Sequence, residues 1–111
     1  MSEAARPVVT HVEVEGGGWA PDAETGGLVH MVRETGSVLV GLWKPNGVSG
    51  RRIEYELDAE ETLVVLRGSG EVRVDHGEPV ELRPGVVVSL ARGSHLSWLV
   101  DDEFCELWIY S

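Results

Sequence analysis

Cysteine is nearly absent from this sequence. Cys105 has no second thiol to pair with, so no intrachain disulfide can hold the chain together. It lies in an apolar stretch and reads as a small core residue rather than a nucleophile. Positive charge is also scarce. Nine Lys and Arg face 19 Asp and Glu, a net charge of −10. Such a surface repels phosphate backbones and anionic lipid, so neither nucleic acid nor membrane is expected as a partner. Long apolar runs are missing, and none approaches the ~18 residues that would span a bilayer. The opening "MSEAARP" has no apolar signal-peptide core, so the expected location is the cytoplasm. Helix signals are absent as well. No window of about 12 residues combines a helical period with caps.

Strand signals fill the chain instead. "LVHMVR", "SVLVGLW", "RRIEYEL", "TLVVLR", "GEVRVD", "PVEL", "VVVSL", "HLSWLV" and "CELWIY" are short and rich in β-branched and aromatic residues. "VVTHVEV" near the amino terminus has the same character. Turn formers such as "KPNG", "RGSG", "DHGE" and "RPG" separate them. Many short strands at even spacing predict an all-β sandwich or barrel. The 111 residues suffice for one domain. Residues 1–27 read as an arm and wrapping segment, and residues 28–111 as the barrel. "LVVL" and "VVVSL" are apolar on both faces and so require a second cover, either the arm or another subunit. A homodimer is therefore expected.

Glu61 is followed after six residues by Gly68. Gly85 is followed after five by Ala91, with Gly93 two positions on. This spacing resembles the two motifs of the cupin superfamily, G-x5-H-x-H-x(3,4)-E-x6-G and G-x5-P-x-G-x2-H. With "GLWKPNG", "LDAEETLVVLRGSGEVRVDHGE", "LRPGVVVSLARGSHLSWLVDDEF" and "ELWIY", the chain looks like the small cupins of the ureidoglycine aminohydrolase and ethanolamine-utilisation type. The resemblance runs from about residue 28 to the end. It implies a double-stranded β-helix, the cupin jelly-roll barrel, with a ligand pocket between the sheets.

The departures from the motifs bear on chemistry. Metal-binding cupins use two His and a Glu from the first motif and a His from the second. Here the second-motif His position holds Leu96, and His95 is one residue early, which turns it to the opposite face of a strand. The first-motif His positions fall on Glu54 and Glu56 with four intervening residues, or on Tyr55 and Leu57 with three. In the first register Glu54, Glu56 and Glu61 converge as an oxygen site for a hard divalent cation. In the second, the alternation I-E-Y-E-L puts Ile53, Tyr55 and Leu57 inside and leaves Glu54 and Glu56 in water. Burying unpaired carboxylates is costly, so the second register is favoured and no metal or other cofactor is expected.

Glu61 can face the pocket in both registers and is the candidate proton-transfer group, with Tyr55 or His95 as helper. Trp98 shares its strand parity with Leu96, so both are placed in the pocket. Trp43 and His30 are further ligand-binding candidates. Such a pocket suits a small, partly apolar organic molecule. The expected function is binding of such a molecule, with metal-independent acid–base chemistry of the cyclase, isomerase or lyase type. Two other functions stay open at this point. One is a metal-dependent aminohydrolase or lyase, which the resemblance implies. The other is a non-catalytic ligand-binding or accessory protein.

Overall fold

The computed structural model describes residues 9–111. Ten strands follow one another with turns between them: β1 (Ala20–Pro21), β2 (Leu28–Thr35), β3 (Val38–Lys44), β4 (Ile53–Glu56), β5 (Glu61–Arg67), β6 (Gly70–Val74), β7 (Val80–Leu82), β8 (Val87–Leu90), β9 (His95–Val100) and β10 (Cys105–Tyr110). They form a six-stranded sheet, ordered β1-β2-β3-β10-β5-β8, and a four-stranded sheet, ordered β4-β9-β6-β7. Every pairing is antiparallel. Consecutive strands often lie in different sheets, so the chain crosses repeatedly between the two layers, as a jelly roll does.

Alternation decides which side chains fill the space between the sheets. On β9, Leu96, Trp98 and Val100 are buried, whereas His95, Ser97 and Leu99 are only partly so. Residues paired across a ladder share a face. Ile53 and Val72 flank Trp98, and Tyr55 and Val74 flank Leu96, which extends the apolar face across three strands. From the other sheet come Leu63, Val65, Leu90 and Trp43. Cys105 is fully buried, as a small core residue should be, and burial pushes its thiol pKa up.

The expected strand "VVTHVEV" does not form. Val8 lies outside the described residues, and residues 9–14 carry no strand. The segment enters a turn in which Gly16 N–H bonds to the Glu13 carbonyl. It then crosses the outer face of the larger sheet. Trp19 packs edge-on against His30 at 5.7 Å, Lys44 Nζ sits 4.2 Å from the centre of the Trp19 ring, and Glu15 pairs with Arg67. This outer layer helps bury Leu42, the cross-strand neighbour of His30, to 3% exposure. Further along the same face the cover stops. Val87, beside Val64 on the β5–β8 ladder, is 62% exposed, and Leu66 is 36% exposed. Among the described residues, no helix is long and apolar enough to cross a membrane.

Candidate functional site

The register of β4 settles the geometry of the acidic run. Tyr55 pairs with Leu96 and Ile53 with Trp98, so Ile53 and Tyr55 face inward, and Leu57 beyond them is 2% exposed. Glu54 and Glu56 face out. The ligand set Glu54, Glu56 and Glu61 is therefore not assembled: two of its members lie on the far side of the sheet from the third. The alternation I-E-Y-E-L carried this information, because Glu54 and Glu56 keep full hydration only in this register. Asp58 and Glu60 lie exposed in the turn, where Glu60 Oε2 accepts a hydrogen bond from Arg92 N–H at 3.1 Å.

Three other candidates fall outside the pocket. His95 is on the outer face, with Nε2 3.0 Å from Glu54 Oε1 and its ring stacked on His76 at 5.1 Å. It is separated from Glu61 by the thickness of the smaller sheet, so it cannot help a proton transfer there. His30 pairs with Leu42 on the outer face of the larger sheet, beneath Trp19. Leu96 does point inward, but it is fully buried in the core and does not line the cavity.

The cavity, about 40 Å³, opens at one end of the barrel. Its walls are Trp43, Ile53, Tyr55, Trp98, Trp108 and Tyr110, with Thr25 at the rim and Glu61 and Glu106 as its acids. The sharp turn between β1 and β2 supplies the rim. There Thr25 Oγ1 accepts the Trp43 indole N–H at 2.8 Å and donates to Asp22 Oδ2 at 2.6 Å, fixing the indole. Gly41 makes room for the next ring. A Cβ there would sit 2.6 Å from Trp108 Cζ2, with the His30 carbonyl 3.3 Å away. Gly41→Ala is expected to cost about 1–3 kcal/mol in a urea titration and to displace the Trp108 indole resonance.

Glu106 was not among the residues singled out from sequence, yet it is the second acid of the site. It precedes Trp108 and Tyr110 at strand parity and pairs with Trp43 on one side and Val65 on the other. The signal was present in "CELWIY" but divided. Glu106, Trp108 and Tyr110 share one face, and Leu107 and Ile109 give the other face an equal claim to the core. A bulge between Cys105 and Glu106 then buries both residues in succession.

Glu61 is 2% and Glu106 6% exposed, and each keeps an Oε1 with no hydrogen-bond partner among the described residues. The Trp98 indole N–H is also unpartnered. Burial, reinforced by the negative charge of Glu24, pushes Glu61 up to about 7. Burial and then the charge of Glu61 raise Glu106 well above the usual carboxylate range. Tyr55 and Tyr110 are raised too, by burial first and Glu61 second, so both phenols keep their protons at neutral pH. The cavity thus holds one acid raised to near neutrality, a second that burial and the charge of Glu61 shift toward its protonated form, and two neutral phenols.

Residues 32–106 match the EutQ-like cupin domain. The chain belongs to the EutQ-like cupin family. Solved structures agree on its double-stranded β-helix. A protein described as ethanolamine utilization protein Q from Salmonella typhimurium LT2 is 16% identical with a TM-score of 0.71, over 83% of this chain and 76% of that one. An RmlC-like cupin from Methanocaldococcus jannaschii is 12% identical with a TM-score of 0.69, over 93% and 88%. The EutQ protein of Clostridium difficile is 17% identical with a TM-score of 0.59; the match covers 76% of this chain and 63% of that protein. No curated protein matches the sequence.

Many cupins hold a metal through histidines, and this EutQ-like cupin does not offer that ligand set. Its second-motif His position is the buried Leu96, and among the described residues no imidazole and only two carboxylates line the cavity. Among the described residues no group of three His, Cys, Asp or Glu is arranged to hold a metal ion. What the pocket does offer is proton donors and acceptors within apolar walls.

Proposed function

We propose that this EutQ-like cupin binds a small, partly apolar organic molecule in the barrel and moves a proton on it without a metal, as an isomerase, lyase or cyclase does. The observation that carries this reading is the pair Glu61 and Glu106, buried together with an unpartnered oxygen each on one cavity. Buried carboxyls without partners are costly, and nothing in the packing of the core requires acids there. Their environments also divide the labour. Glu61, near 7, can accept a proton at physiological pH, while burial and the charge of Glu61 favour the protonated, donating form of Glu106. Tyr55 and Tyr110 supply neutral hydroxyls that could steady a developing oxyanion.

The test is solvent-proton exchange into candidate substrates. The protein is incubated in D2O with a panel of small carbonyl compounds bearing α-hydrogens, and deuterium incorporation is followed by mass spectrometry. Enzyme-dependent incorporation that drops at least tenfold in Glu61→Gln, with folding intact by circular dichroism, supports the proposal. Incorporation that Glu61→Gln leaves unchanged, or none across the panel, overturns it.

A homodimer forms part of the same proposal. The apolar strip of Val64, Leu66 and Val87 reaches the edge strand β8, and among the described residues the amino-terminal segment does not cover it. Val87→Glu is expected to shift a dimer to monomer in sedimentation velocity, with little change in monomer fold because residue 87 is already 62% exposed. A wild-type protein that sediments as a monomer at micromolar concentration would reject the dimer.

A further inference from the structure

The pocket combines features that together specify the charge of its ligand. Three indoles and two phenol rings form most of its wall, presenting aromatic surface toward one small space. Two carboxyl groups close it, each with an unpartnered oxygen, on side chains 2% and 6% exposed. No Arg, Lys or His among the described residues lines the cavity to balance them. Two cations of the larger sheet are engaged elsewhere: Lys44 rests on Trp19 on the outer face, and Arg67 pairs with Glu15. An apolar neutral guest would leave the carboxyl oxygens without partners. An anion would add repulsion to desolvation. A small organic cation satisfies both the ring faces and the acids.

Size narrows the class further. The cavity is small, about 40 Å³. It suits a small head group, and the rest of a longer ligand would extend past Thr25. We propose that the barrel pocket is a cage for the ammonium group of a small primary or N-methylated amine, with Glu61 as the countercharge and Trp43, Trp98 and Trp108 as the walls. This assignment rests on the proposed small-molecule function and names its substrate class.

The decisive experiment compares isosteres of different charge. Methylammonium and ethylammonium are titrated against the full chain, alongside methanol, ethanol and acetate, with sodium chloride matching the ionic strength. Binding is read from the indole N–H resonances of Trp43, Trp98 and Trp108, with Trp19 on the outer face as internal control. The expected result is saturable shifts confined to the three pocket indoles, with the ammonium ions at least tenfold tighter than the alcohols. Glu61→Gln/Glu106→Gln should weaken the ammonium ions at least tenfold and leave the alcohols unchanged. Circular dichroism checks the fold of that double variant, and Glu56→Gln on the outer face, which removes one exposed carboxylate, should bind as the wild type does. Equal binding of alcohols and ammonium ions would overturn the cation assignment while the pocket remained a small-molecule site. Shifts that follow Trp19 equally, or persist in Glu61→Gln/Glu106→Gln, would reduce the effect to attraction by the acidic surface and also overturn it. No saturable shift with any ammonium ion would overturn the cage, whereas the proton-transfer reading is judged separately by deuterium exchange.

Discussion

The melting temperature is expected to fall by on the order of 10 °C between pH 5 and pH 8 at constant ionic strength. Most proteins are at or near their most stable across that interval. The cause here is the site. Glu61 has a pKa of about 7 in the folded chain against 4.5 as its ordinary value. Below about 4.5 it is protonated in both states and its contribution to stability is fully present. As pH rises from there through 7, the unfolded chain releases the proton first, and the folded chain loses stability progressively. The two values correspond to about 3 kcal/mol by pH 8. Glu106, raised well above its ordinary value by burial and then by the charge of Glu61, acts in the same direction. Scanning calorimetry across the pH range should show the decline. Glu61→Gln should flatten it, and at pH 8 that variant should melt higher than wild type. A melting temperature constant or rising from pH 5 to 8 would mean that the acids are hydrated rather than buried.

The second large effect concerns two glycines, one ending the first family motif and one opening the second, that differ in physical role. Gly68 has φ of +74°, and a Cβ there would lie 2.4 Å from the backbone N and Cα of Phe104. Phe104 is 1% exposed, in the centre of the core. Neither partner atom can move without shifting β10. Gly68→Ala is therefore expected to cost about 3–5 kcal/mol, combining left-handed strain with a backbone clash. Gly85 has φ of +93° and nothing within 4 Å of the same Cβ position. Gly85→Ala should cost only the strain, about 1–2 kcal/mol. Urea denaturation of the two variants side by side tests the difference. Equal losses would mean that turn conformation alone, and not close approach to Phe104, sets the need for glycine at 68.

These particulars show why the architecture was more legible in the sequence than the chemistry. Short β-branched runs between Gly, Pro and Asp turns leave few alternatives to a barrel, and the Glu61-to-Gly68 spacing with Gly85 and Gly93 led to the family later matched over residues 32–106. Inward placement of Tyr55, Trp98 and Glu61 followed from alternation and spacing. Glu106 did not follow, because a central strand apolar on both faces has no preferred parity and a bulge shifts the register beside it. His30 misled for a related reason. "LVHMVR" is apolar on both sides, and only the Trp19 segment lying across the outer face shows which side His30 takes. "VVTHVEV" misled because β propensity without a neighbouring edge to pair with does not make a strand.

The distribution of tryptophan has a practical consequence. Three of the four indoles line the cavity, and the fourth lies on the outer face beneath Lys44. Ultraviolet emission excited near the indole absorption edge therefore originates largely from the ligand's own chamber. The protein carries an intrinsic optical gauge of occupancy, and a library of unlabelled compounds can be screened by emission intensity and wavelength alone. Replacing Trp19 with phenylalanine would remove the background contribution from outside and leave the gauge reading the cavity only.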